Sequence, residues 1–484
     1  MMAAASVRCS VSVATKNHRK SSICAQRAHA ERTQRDQCAY FWYAGRARTV
    51  EGMTSSPTPV IAPAAPARAL WCGYRAGQPT YRRVMVGLFF VGLGTFSLLY
   101  TTQPLLPELA RDFAVSEGQS ALSVSVATLG LSIALLVAGP WSEVVGRIPL
   151  MRWSLTLSSL VGLGCAFAPG WNMLLALRFI EGLALGGLPG VAIAYLREEV
   201  HHDSHARAAG LYVGGTAIGG LIGRLVAGML ADLGGWRLAI GGVALLGLLS
   251  AVAAILLLPP SRRFAPAPSS PRSLARTSVR LLRDPVQLAL YGIAVTAMGS
   301  FTAAFNAIGF RLTGAPYHLP LSVCGFVFLV YLVGVVTSPA AGRLAGRLGR
   351  RVVVPGGAVV TLVGFLLTMA RPLPVVVLGL AVMVGGFFAV HGVTSGWVAA
   401  RADLASGGIG QAASLYLVSY YLGASLFGGL AGTAWSTGGW PLVVALCSSL
   451  TLGTLALSLF LRTVPAAIRR DQATDAFDLL GATP

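Results

Sequence analysis

The chain contains twelve apolar stretches, each close to twenty residues long. They cover residues 84–106, 119–140, 150–169, 171–195, 208–230, 236–258, 286–308, 320–342, 352–370, 373–396, 410–433 and 439–462. A helix needs about 20 mainly apolar residues to cross a bilayer. A helix also satisfies all of its backbone groups without water, which lipid requires. The sequence therefore predicts an all-α integral membrane protein with twelve transmembrane helices.

The overall composition agrees with this prediction. Charged residues make up only 11% of the chain, against about 25% in soluble proteins. The net charge of +20 does not indicate nucleic-acid binding, because the arginines occur singly or in pairs between apolar runs and form no basic surface with interleaved aromatics. We expect the lipid bilayer, and no nucleic acid, as a partner.

A polar, basic and proline-rich segment at residues 259–285 divides the twelve runs six plus six. This division predicts an N-terminal six-helix bundle over 81–258 and a C-terminal six-helix bundle over 286–462. The segment between them is expected to be a cytoplasmic linker, and residues 463–484 a cytoplasmic tail.

The first 80 residues differ from the rest and are expected to form a disordered extension. Residues 1–52 hold both lysines of the chain and three of its seven cysteines. They are either a basic targeting peptide or sequence upstream of a true start at Met53. The restriction of lysine to this segment favours the second interpretation.

The positions of the arginines predict the orientation in the membrane. With a cytoplasmic N-terminus, the inner segments from Arg75 onward carry twenty-one arginines and the outer loops carry four. Cytoplasmic loops of membrane proteins carry the excess of positive charge. We therefore expect both termini in the cytoplasm and a multi-pass location in the plasma (inner) membrane.

The two halves repeat at an offset of about 204 residues. "AAGLY" at 208–212 corresponds to "AASLY" at 412–416, and "GGW" at 234–236 corresponds to "GGW" at 438–440. Parallel six-helix repeats, with the pathway between the halves, are a transporter architecture.

Three motifs stand at fixed places in this pattern. "GPWSEVVGR" (139–147) follows the second run, and a weakened copy, "GRLAGRLGRR" (342–351), follows the eighth. The fourth run carries "LLALRFIEG" (174–182), and the fifth carries "GTAIGGLIGR" (215–224).

Through these motifs the chain resembles the major facilitator superfamily over roughly residues 82–462. The resemblance implies two pseudo-symmetric six-helix bundles that work by alternating access. The fifth-run motif is similar to the G-x-x-x-G-P-x-x-G-G signature of drug:proton antiporters, although Gly220 replaces the proline and Arg224 the last glycine.

The resemblance also implies a conformational latch at the cytoplasmic edge. Glu143 and Arg147 lie four residues apart, where they can pair with each other, with a helix end or with the other half. The alternative is a solvated turn with weak surface charges. The residues that we assign to the latch are Gly139, Glu143, Gly146, Arg147, Gly342 and Arg350.

Arg178 and Glu181 share one helix face, and Glu181 is the only acid well inside any of the twelve runs. Charges within a membrane are costly and normally face an interior partner or a cavity. The pair is therefore our candidate for proton coupling. The alternative is a permanent ion pair that fixes the packing of the fourth helix.

Small residues line the fifth run in two adjacent rows, and Arg224 interrupts one of them. Such rows favour close helix packing, in this family against the eighth helix across the two halves. Arg224 is expected either to pair across that interface as part of an outer gate or to reach toward Asp232. The gate residues are Gly215, Gly219, Gly220, Gly223 and Arg224.

Polar and aromatic residues of four further runs are candidates for the substrate cavity. Gln103 and Asn306 occupy equivalent places at an offset of 203 residues. His391 is either a packing residue or a titrating group, since its reference pKa is near 6.5. Tyr416 and Tyr420 offer aromatic surface.

The seven cysteines show neither paired nor metal-like spacing. We expect no disulfide framework, no metal site, no catalytic residues and no cofactor besides a proton gradient. The favoured function is proton-coupled export of a small molecule by a protein that works as a monomer. The alternatives are import or facilitated passage of a small organic anion or nutrient and, remotely, a non-transporting membrane sensor.

Overall fold

In the computed structural model, the structure describes residues 73–262, 264, 270–405 and 408–464. The predictions for residues 1–72 and for the tail beyond 464, including the start at Met53, lie outside these residues. The described chain is almost wholly helical, and its membrane-crossing helices, numbered as spans 1–12, have the following bounds. They are Pro79–Leu99 (span 1), Glu117–Val145 (2), Arg147–Ala166 (3), Trp171–Leu185 with Pro189–Glu199 (4), His205–Leu257 (5 and 6), Pro285–Thr313 (7), Leu321–Phe326 continuing to Tyr331–Leu348 (8), Arg350–Leu367 (9), Leu373–Ala405 (10) and Ile409–Thr463 (11 and 12).

Within the described ranges, nine helical segments are long and apolar enough to cross a membrane. Two of them, His205–Leu257 and Ile409–Thr463, each contain two spans joined at a sharp bend. The remaining span is Arg147–Ala166, which is less apolar because it carries two arginines and three serines. The architecture is therefore a bundle of twelve helices in two sets of six.

The internal repeat is visible in the backbone as well as in the sequence. Gly235 and Gly439 bend the two long helices with φ values of 77° and 61°, at the two copies of "GGW". Gly146 and Gly349 form the turns after spans 2 and 8 with φ values of 102° and 86°. Glycine adopts this left-handed region without the steric cost that a side chain would add. The same chain reversals therefore occur at equivalent positions of the two halves.

Helix packing repeats in the same way. A Cβ atom added to Gly219 would lie 2.4 Å from the Leu93 carbonyl oxygen, and one added to Gly423 would lie 2.2 Å from the Val295 carbonyl oxygen. Spans 5 and 11 thus pack closely on spans 1 and 7, each within its own half. These approaches are short enough to exclude any side chain larger than hydrogen.

A second pair of glycines brings the two halves together. An added Cβ would lie 2.7 Å from the Leu321 carbonyl oxygen at Gly228, and 2.3 Å from the Glu117 carbonyl oxygen at Gly432. Span 5 therefore meets the start of span 8, and span 11 meets the start of span 2. These two contacts describe a two-fold pseudo-symmetric interface.

The helices depart from the predicted runs in three places. Span 4 is interrupted between Leu185 and Pro189, where proline cannot continue the hydrogen-bond ladder. Span 8 contains a 3₁₀ segment, Val327–Val330, of the kind that often marks a functional hinge.

The linker, expected to be only a polar connection, contains a helix at Pro271–Arg283 with four arginines. Its buried Leu281 and exposed arginines make it amphipathic, a pattern hidden by the surrounding prolines.

The two ends of the bundle differ in how the halves meet. We call the end that carries Gly146, Gly349 and the linker helix the linker end, and the opposite one the distal end. Hydrogen bonds between described residues of the two halves run from the distal end to the contact of Ser132 Oγ with the Val418 carbonyl oxygen. Toward the linker end, a Cβ added to Gly139 or Gly342 would meet nothing within 4 Å. The halves are thus hydrogen-bonded to each other distally and in the middle, and a cavity of about 780 Å³ lies between them at the distal end.

Candidate substrate pathway between the two halves

A chain of buried polar side chains joins the two halves near the pseudo-symmetry axis. Arg224 Nε donates to Gln103 Oε1 at 2.7 Å, and Gln103 Nε2 donates to Asn306 Oδ1 at 2.8 Å. Asn306 Nδ2 in turn donates to the Gly428 carbonyl oxygen at 3.1 Å. We call Arg224, Gln103 and Asn306 the central layer. Each is at most 2% exposed, so enclosed, direct hydrogen bonds link the turn after span 1 to spans 5, 7 and 11.

The Arg224 guanidinium lies among three aromatic rings. Its Cζ is 4.4 Å from the ring centre of Tyr100, 4.9 Å from that of Phe328 and 4.8 Å from that of Tyr331. Within the described chain, no carboxylate lies within 4 Å of it. The positive charge is therefore stabilised by ring faces and by neutral hydrogen-bond acceptors.

Local backbone structure makes room for this arginine. Nη1 donates to the Gly220 carbonyl oxygen one turn earlier at 2.5 Å, and a Cβ on Gly220 would lie 3.0 Å from Nη1. Tyr100 and Gln103 face it because span 1 ends at Leu99, and a short 3₁₀ turn begins at Gln103. Phe328 lies in the 3₁₀ segment of span 8. Three helix irregularities thus converge on one charge.

A row of aromatic rings runs from the central layer into the C-terminal half. Tyr331 contacts Phe301 with ring centres 5.2 Å apart, and Phe301 stacks on Phe387 at 4.0 Å. Phe387 is stacked in turn on His391 at 5.9 Å. We call Tyr331, Phe301, Phe387 and His391 the aromatic row. It places the predicted residues of span 10 on the same continuous surface as Arg224.

The predicted cavity residues of spans 10 and 11 come together at the end of this row. His391 Nδ1 lies 2.9 Å from the Tyr416 hydroxyl, and the ring of Tyr420 is 4.8 Å from the imidazole. His391 has a hydrogen-bonding partner and three aromatic neighbours. Its side chain therefore has a defined packing role, while its position beside the row keeps it a candidate contact for substrate.

Arg178 and Glu181 form a fully enclosed ion pair. Arg178 Nη1 lies 2.7 Å from Glu181 Oε2, and both side chains are 1% exposed. The Cys165 thiol approaches the same carboxylate oxygen at 3.8 Å. Removing one partner would leave a buried, uncompensated charge, which is strongly destabilising. In this conformation each of the two charges therefore depends on the other.

The remaining donors of Arg178 bind the end of span 1. Nη1 and Nη2 donate to the carbonyl oxygens of Leu98 and Leu99 at 3.0 and 2.6 Å, and Nε donates to that of Ser123 at 3.2 Å. The last carbonyls of a helix have no partner inside it, so Arg178 caps span 1. Tyr100 and Gln103 follow directly in the chain, and the ion pair is therefore connected to the central layer by a few residues of backbone.

The family of the chain follows from sequence comparison. The family model described as Major Facilitator Superfamily matches residues 84–335. An uncharacterized MFS-type transporter, YybF of Bacillus subtilis (strain 168), is 38% identical over 399 residues, which are 82% of this chain and 98% of that protein. The chain belongs to the Major Facilitator Superfamily. The inner membrane transport protein YnfM of Escherichia coli (strain K12) is 37% identical over 82% of this chain and 93% of its own length.

Solved structures of the superfamily show the same fold. A bacterial homologue of the human lysosomal transporter Spinster, in an inward-facing and occupied conformation, aligns with a TM-score of 0.60 at 16% identity. The alignment covers 80% of this chain and 95% of that one. The twelve-helix, two-bundle architecture is therefore confirmed as the major facilitator fold, and the chain is a multi-pass membrane transporter.

The predicted latch of this superfamily member lies at the linker end. Arg147 hydrogen-bonds Glu198 at 2.9 Å and also donates to the Ser142 hydroxyl. Glu198 belongs to span 4, so this pairing stays within the N-terminal half. Arg350 borders a cavity of about 520 Å³ formed by the ends of spans 7, 8, 10 and 12. The structure thus brings Arg147 and Arg350 each to its own half and not to each other.

The packing of the span 5 glycines corrects one prediction. The row Gly215, Gly219 and Gly223 packs on span 1, with added Cβ atoms 2.4 to 2.6 Å from backbone atoms of Phe89, Leu93 and Ser97. The expectation that this row packs on span 8 is wrong, because the neighbouring row with Arg224 and Gly228 faces that helix. Rows one residue apart point about 100° apart around a helix, and the sequence does not show which row faces which neighbour.

Arg224 itself is where the cross-interface prediction placed it. Its contacts with Phe328 and Tyr331 cross to span 8. The alternative, a bond to Asp232, is wrong, because the Asp232 carboxylate accepts hydrogen bonds from the backbone of Leu321 and Ser322 at 3.2 and 2.8 Å.

Sequence reasoning missed the aromatic side of the site. Tyr100, Phe328, Tyr331, Phe301 and Phe387 were not among the predicted residues. The signal that was available is the spacing of four that places Phe301 with Phe305, Phe387 with His391 and Tyr416 with Tyr420 on common helix faces. Such pairs also occur in lipid-facing or packed helices, so the spacing alone does not identify a site.

Proposed function

We propose that this transporter exports a small molecule from the cytoplasm in exchange for protons, as drug:proton antiporters do. The observation that carries the proposal is the buried central layer, which links the two halves in the distal part of the bundle, whereas no hydrogen bond between described residues joins them on the linker side of Ser132. A site at the repeat interface, reached from one side at a time, is what alternating access requires.

The predicted orientation indicates from which side of the membrane the site is reached in this conformation. If the linker end is cytoplasmic, as the arginine distribution indicates, the site is approached from the cytoplasm and sealed outside by the distal contacts. We propose that the protein lies in the plasma (inner) membrane in this way, and that this is the state which loads cytoplasmic substrate.

Proton coupling is proposed to run through Glu181. Protonation would remove the partner charge of Arg178, which would then be held only by carbonyl oxygens of spans 1 and 2. Because Arg178 caps the end of span 1, any shift of its guanidinium displaces the chain toward Tyr100 and Gln103. This route would connect a proton on span 4 to the hydrogen bonds of Arg224.

Inside-out membrane vesicles with an acidic lumen test the proposal. We expect molecules from a cytosolic small-molecule extract, quantified by mass spectrometry, to accumulate in the lumen only while the pH gradient is present. Per chain correctly inserted in the vesicles, Glu181→Gln should abolish the dependence on the gradient. Asp112→Asn, which removes an exposed carboxylate beside Arg237, is the matched control and should transport normally. Accumulation that persists after the gradient is collapsed, or a full response in Glu181→Gln, contradicts the proposal.

A second candidate function is passage of a small organic anion, and the environment of Arg224 favours it. A buried guanidinium beside aromatic rings and without an acidic partner suits a carboxylate attached to an apolar ring. Relatives carry names of both kinds: the multidrug resistance protein MdtL of Salmonella typhi is 26% identical over 316 residues, and the niacin transporter NiaP of Acinetobacter baylyi is 32% identical over 161 residues.

Three small molecules of similar shape but different charge distinguish the two candidate functions. If the site takes organic anions, benzoate should raise the melting temperature of the purified protein, whereas benzylamine and benzamide should not. Equal stabilisation by all three would indicate a site without charge preference, as expected for a broad exporter.

A further inference from the structure

The loop between spans 4 and 5 brings together three metal-ligating side chains that the transport pathway does not use. We propose that His201, His202 and Asp203 bind one divalent transition-metal ion of the zinc class. All three residues lie at the linker end, in the segment that connects Pro189–Glu199 to His205–Leu257. From the sequence we expected no metal site.

The donor atoms of these three side chains lie close to one another. His201 Nδ1 and His202 Nδ1 lie 3.2 Å apart, and the two carboxylate oxygens of Asp203 lie 3.4 and 3.1 Å from these nitrogens respectively. Zinc binds imidazole nitrogen and carboxylate oxygen at about 2.0–2.2 Å. Tetrahedral geometry at those bond lengths separates the donor atoms by roughly 3.3–3.6 Å. With one donor atom from each side chain, the three atoms lie within 4.8 Å of one another, so shifts of about an ångström would let them share one ion. His201 Nδ1 also accepts a hydrogen bond from the Asp203 backbone nitrogen at 3.4 Å, which the ion would replace.

The backbone prepares this arrangement. Span 4 ends at Glu199, and residue 201 is fixed by a hydrogen bond from its backbone nitrogen to the Tyr74 carbonyl oxygen at 3.0 Å. A 3₁₀ turn begins directly afterwards at His202 and turns Asp203 back toward the two imidazoles. The His201 imidazole is thus held in place by the fold and is 4% exposed. His202 and Asp203 lie at the surface, where an ion can reach them.

The charges of the three side chains suit a divalent cation. The carboxylate of Asp203 supplies the negative charge that offsets the cation, and a water molecule would complete the coordination.

The ligands of this site favour an ion of the zinc class over a hard cation such as calcium or magnesium. Two nitrogen donors and one carboxylate suit zinc, copper or nickel, whereas calcium and magnesium prefer oxygen ligands. Since none of these side chains contacts the central layer, the inference stands independently of the proposed transport function.

Titration of the purified full-length protein with zinc chloride tests the site. We expect one zinc ion per chain by isothermal calorimetry, a melting temperature that rises with zinc concentration, and no effect of magnesium chloride. His202→Ala and Asp203→Ala change exposed side chains and should fold normally, yet weaken zinc binding by at least about tenfold. His318→Ala, which removes an exposed histidine of the distal end, is the matched control and should bind zinc like the parent.

Cobalt chloride provides a second readout, because tetrahedral cobalt absorbs visible light far more strongly than octahedral cobalt. We expect the tetrahedral spectrum in the parent protein and its loss in His202→Ala. Unchanged zinc affinity in both variants, or an octahedral cobalt spectrum, would overturn the assignment.

Discussion

Arg224 is the residue on which most of the proposed pathway depends. Its planar guanidinium donates to Gln103 at one edge while its faces meet aromatic rings of spans 1 and 8. A lysine ammonium is a compact, strongly hydrated charge that cannot stack and donate in this way. The specific shape of arginine, and not only its charge, therefore stabilises the central layer.

Arg224→Lys should reduce transport in the vesicle assay by at least about tenfold. The change leaves the Gln103 carbonyl without its donor, at a cost of about 1–3 kcal/mol for a buried group. Arg237→Lys is a matched control, because Arg237 also stacks on a ring, that of Trp236, but is half exposed at the distal end. Normal transport by Arg224→Lys would show that the layer does not depend on the guanidinium.

For individual residues, the sequence predicted where a side chain lies along its helix better than which groups it contacts. The equivalent placing of Gln103 and Asn306 was visible as a repeat, and the two amides do hydrogen-bond to each other. The three-residue spacing of Arg178 and Glu181 likewise predicted their ion pair. The carbonyl partners of Arg178 were not predictable, because they depend on where span 1 ends in space relative to span 4.

At the scale of helices, the two halves differ in how one helix start is capped. Span 2 begins with a capping box of its own, in which Ser116 and Gln119 satisfy each other's backbone nitrogens. The equivalent start of span 8 has Pro320 at the cap position and no side-chain cap from its own half. Asp232 of span 5 accepts the free backbone N–H groups instead, from across the interface. Closure of the distal end thus satisfies a helix terminus that is otherwise open.

Asp232→Ala should therefore favour opening of the distal end. Loss of a helix cap costs about 0.5–2 kcal/mol, here only in the closed state. Spin labels at positions 111 and 318, which line the cavity between the two halves at the distal end, should show a larger share of long distances by pulsed electron resonance. Ser116→Ala removes a cap within one half and should lower stability without changing this distribution. If Asp232→Ala has the same spin-label distance distribution as the parent, this cap does not hold the distal end closed.

The close packing of spans 1 and 5 gives a prediction about stability. Gly219→Ala would place a methyl group 2.4 Å from the Leu93 carbonyl oxygen, and overpacking of this kind costs about 1–3 kcal/mol. The melting temperature of the detergent-solubilised protein should fall. Gly214→Ala lies on the same helix with nothing within 4 Å and should leave it unchanged or slightly raised. Equal melting temperatures for the two variants would contradict the packing shown here.

For the whole molecule, hydropathy and the internal repeat were sufficient to predict twelve spans in two related halves. Hydropathy depends only on composition along the chain, and the repeat fixes the two-fold relation. The interruptions in spans 4 and 8 were not predicted, because an apolar run looks the same whether its helix is continuous or broken. These irregularities surround the pathway, so the least predictable parts of the fold are those that form the candidate site.

The central claim is that transport requires the two halves to separate at the distal end. Gly118 and Thr433 lie across this interface, where a Cβ added to Gly118 would be 2.7 Å from Thr433 Oγ1. A double variant, Gly118→Cys with Thr433→Cys in a background without other cysteines, can therefore form a disulfide between the halves. Vesicle transport should stop on oxidation and return on reduction, while each single variant is insensitive to oxidant. Undiminished transport by the fully cross-linked protein would contradict alternating access through this interface.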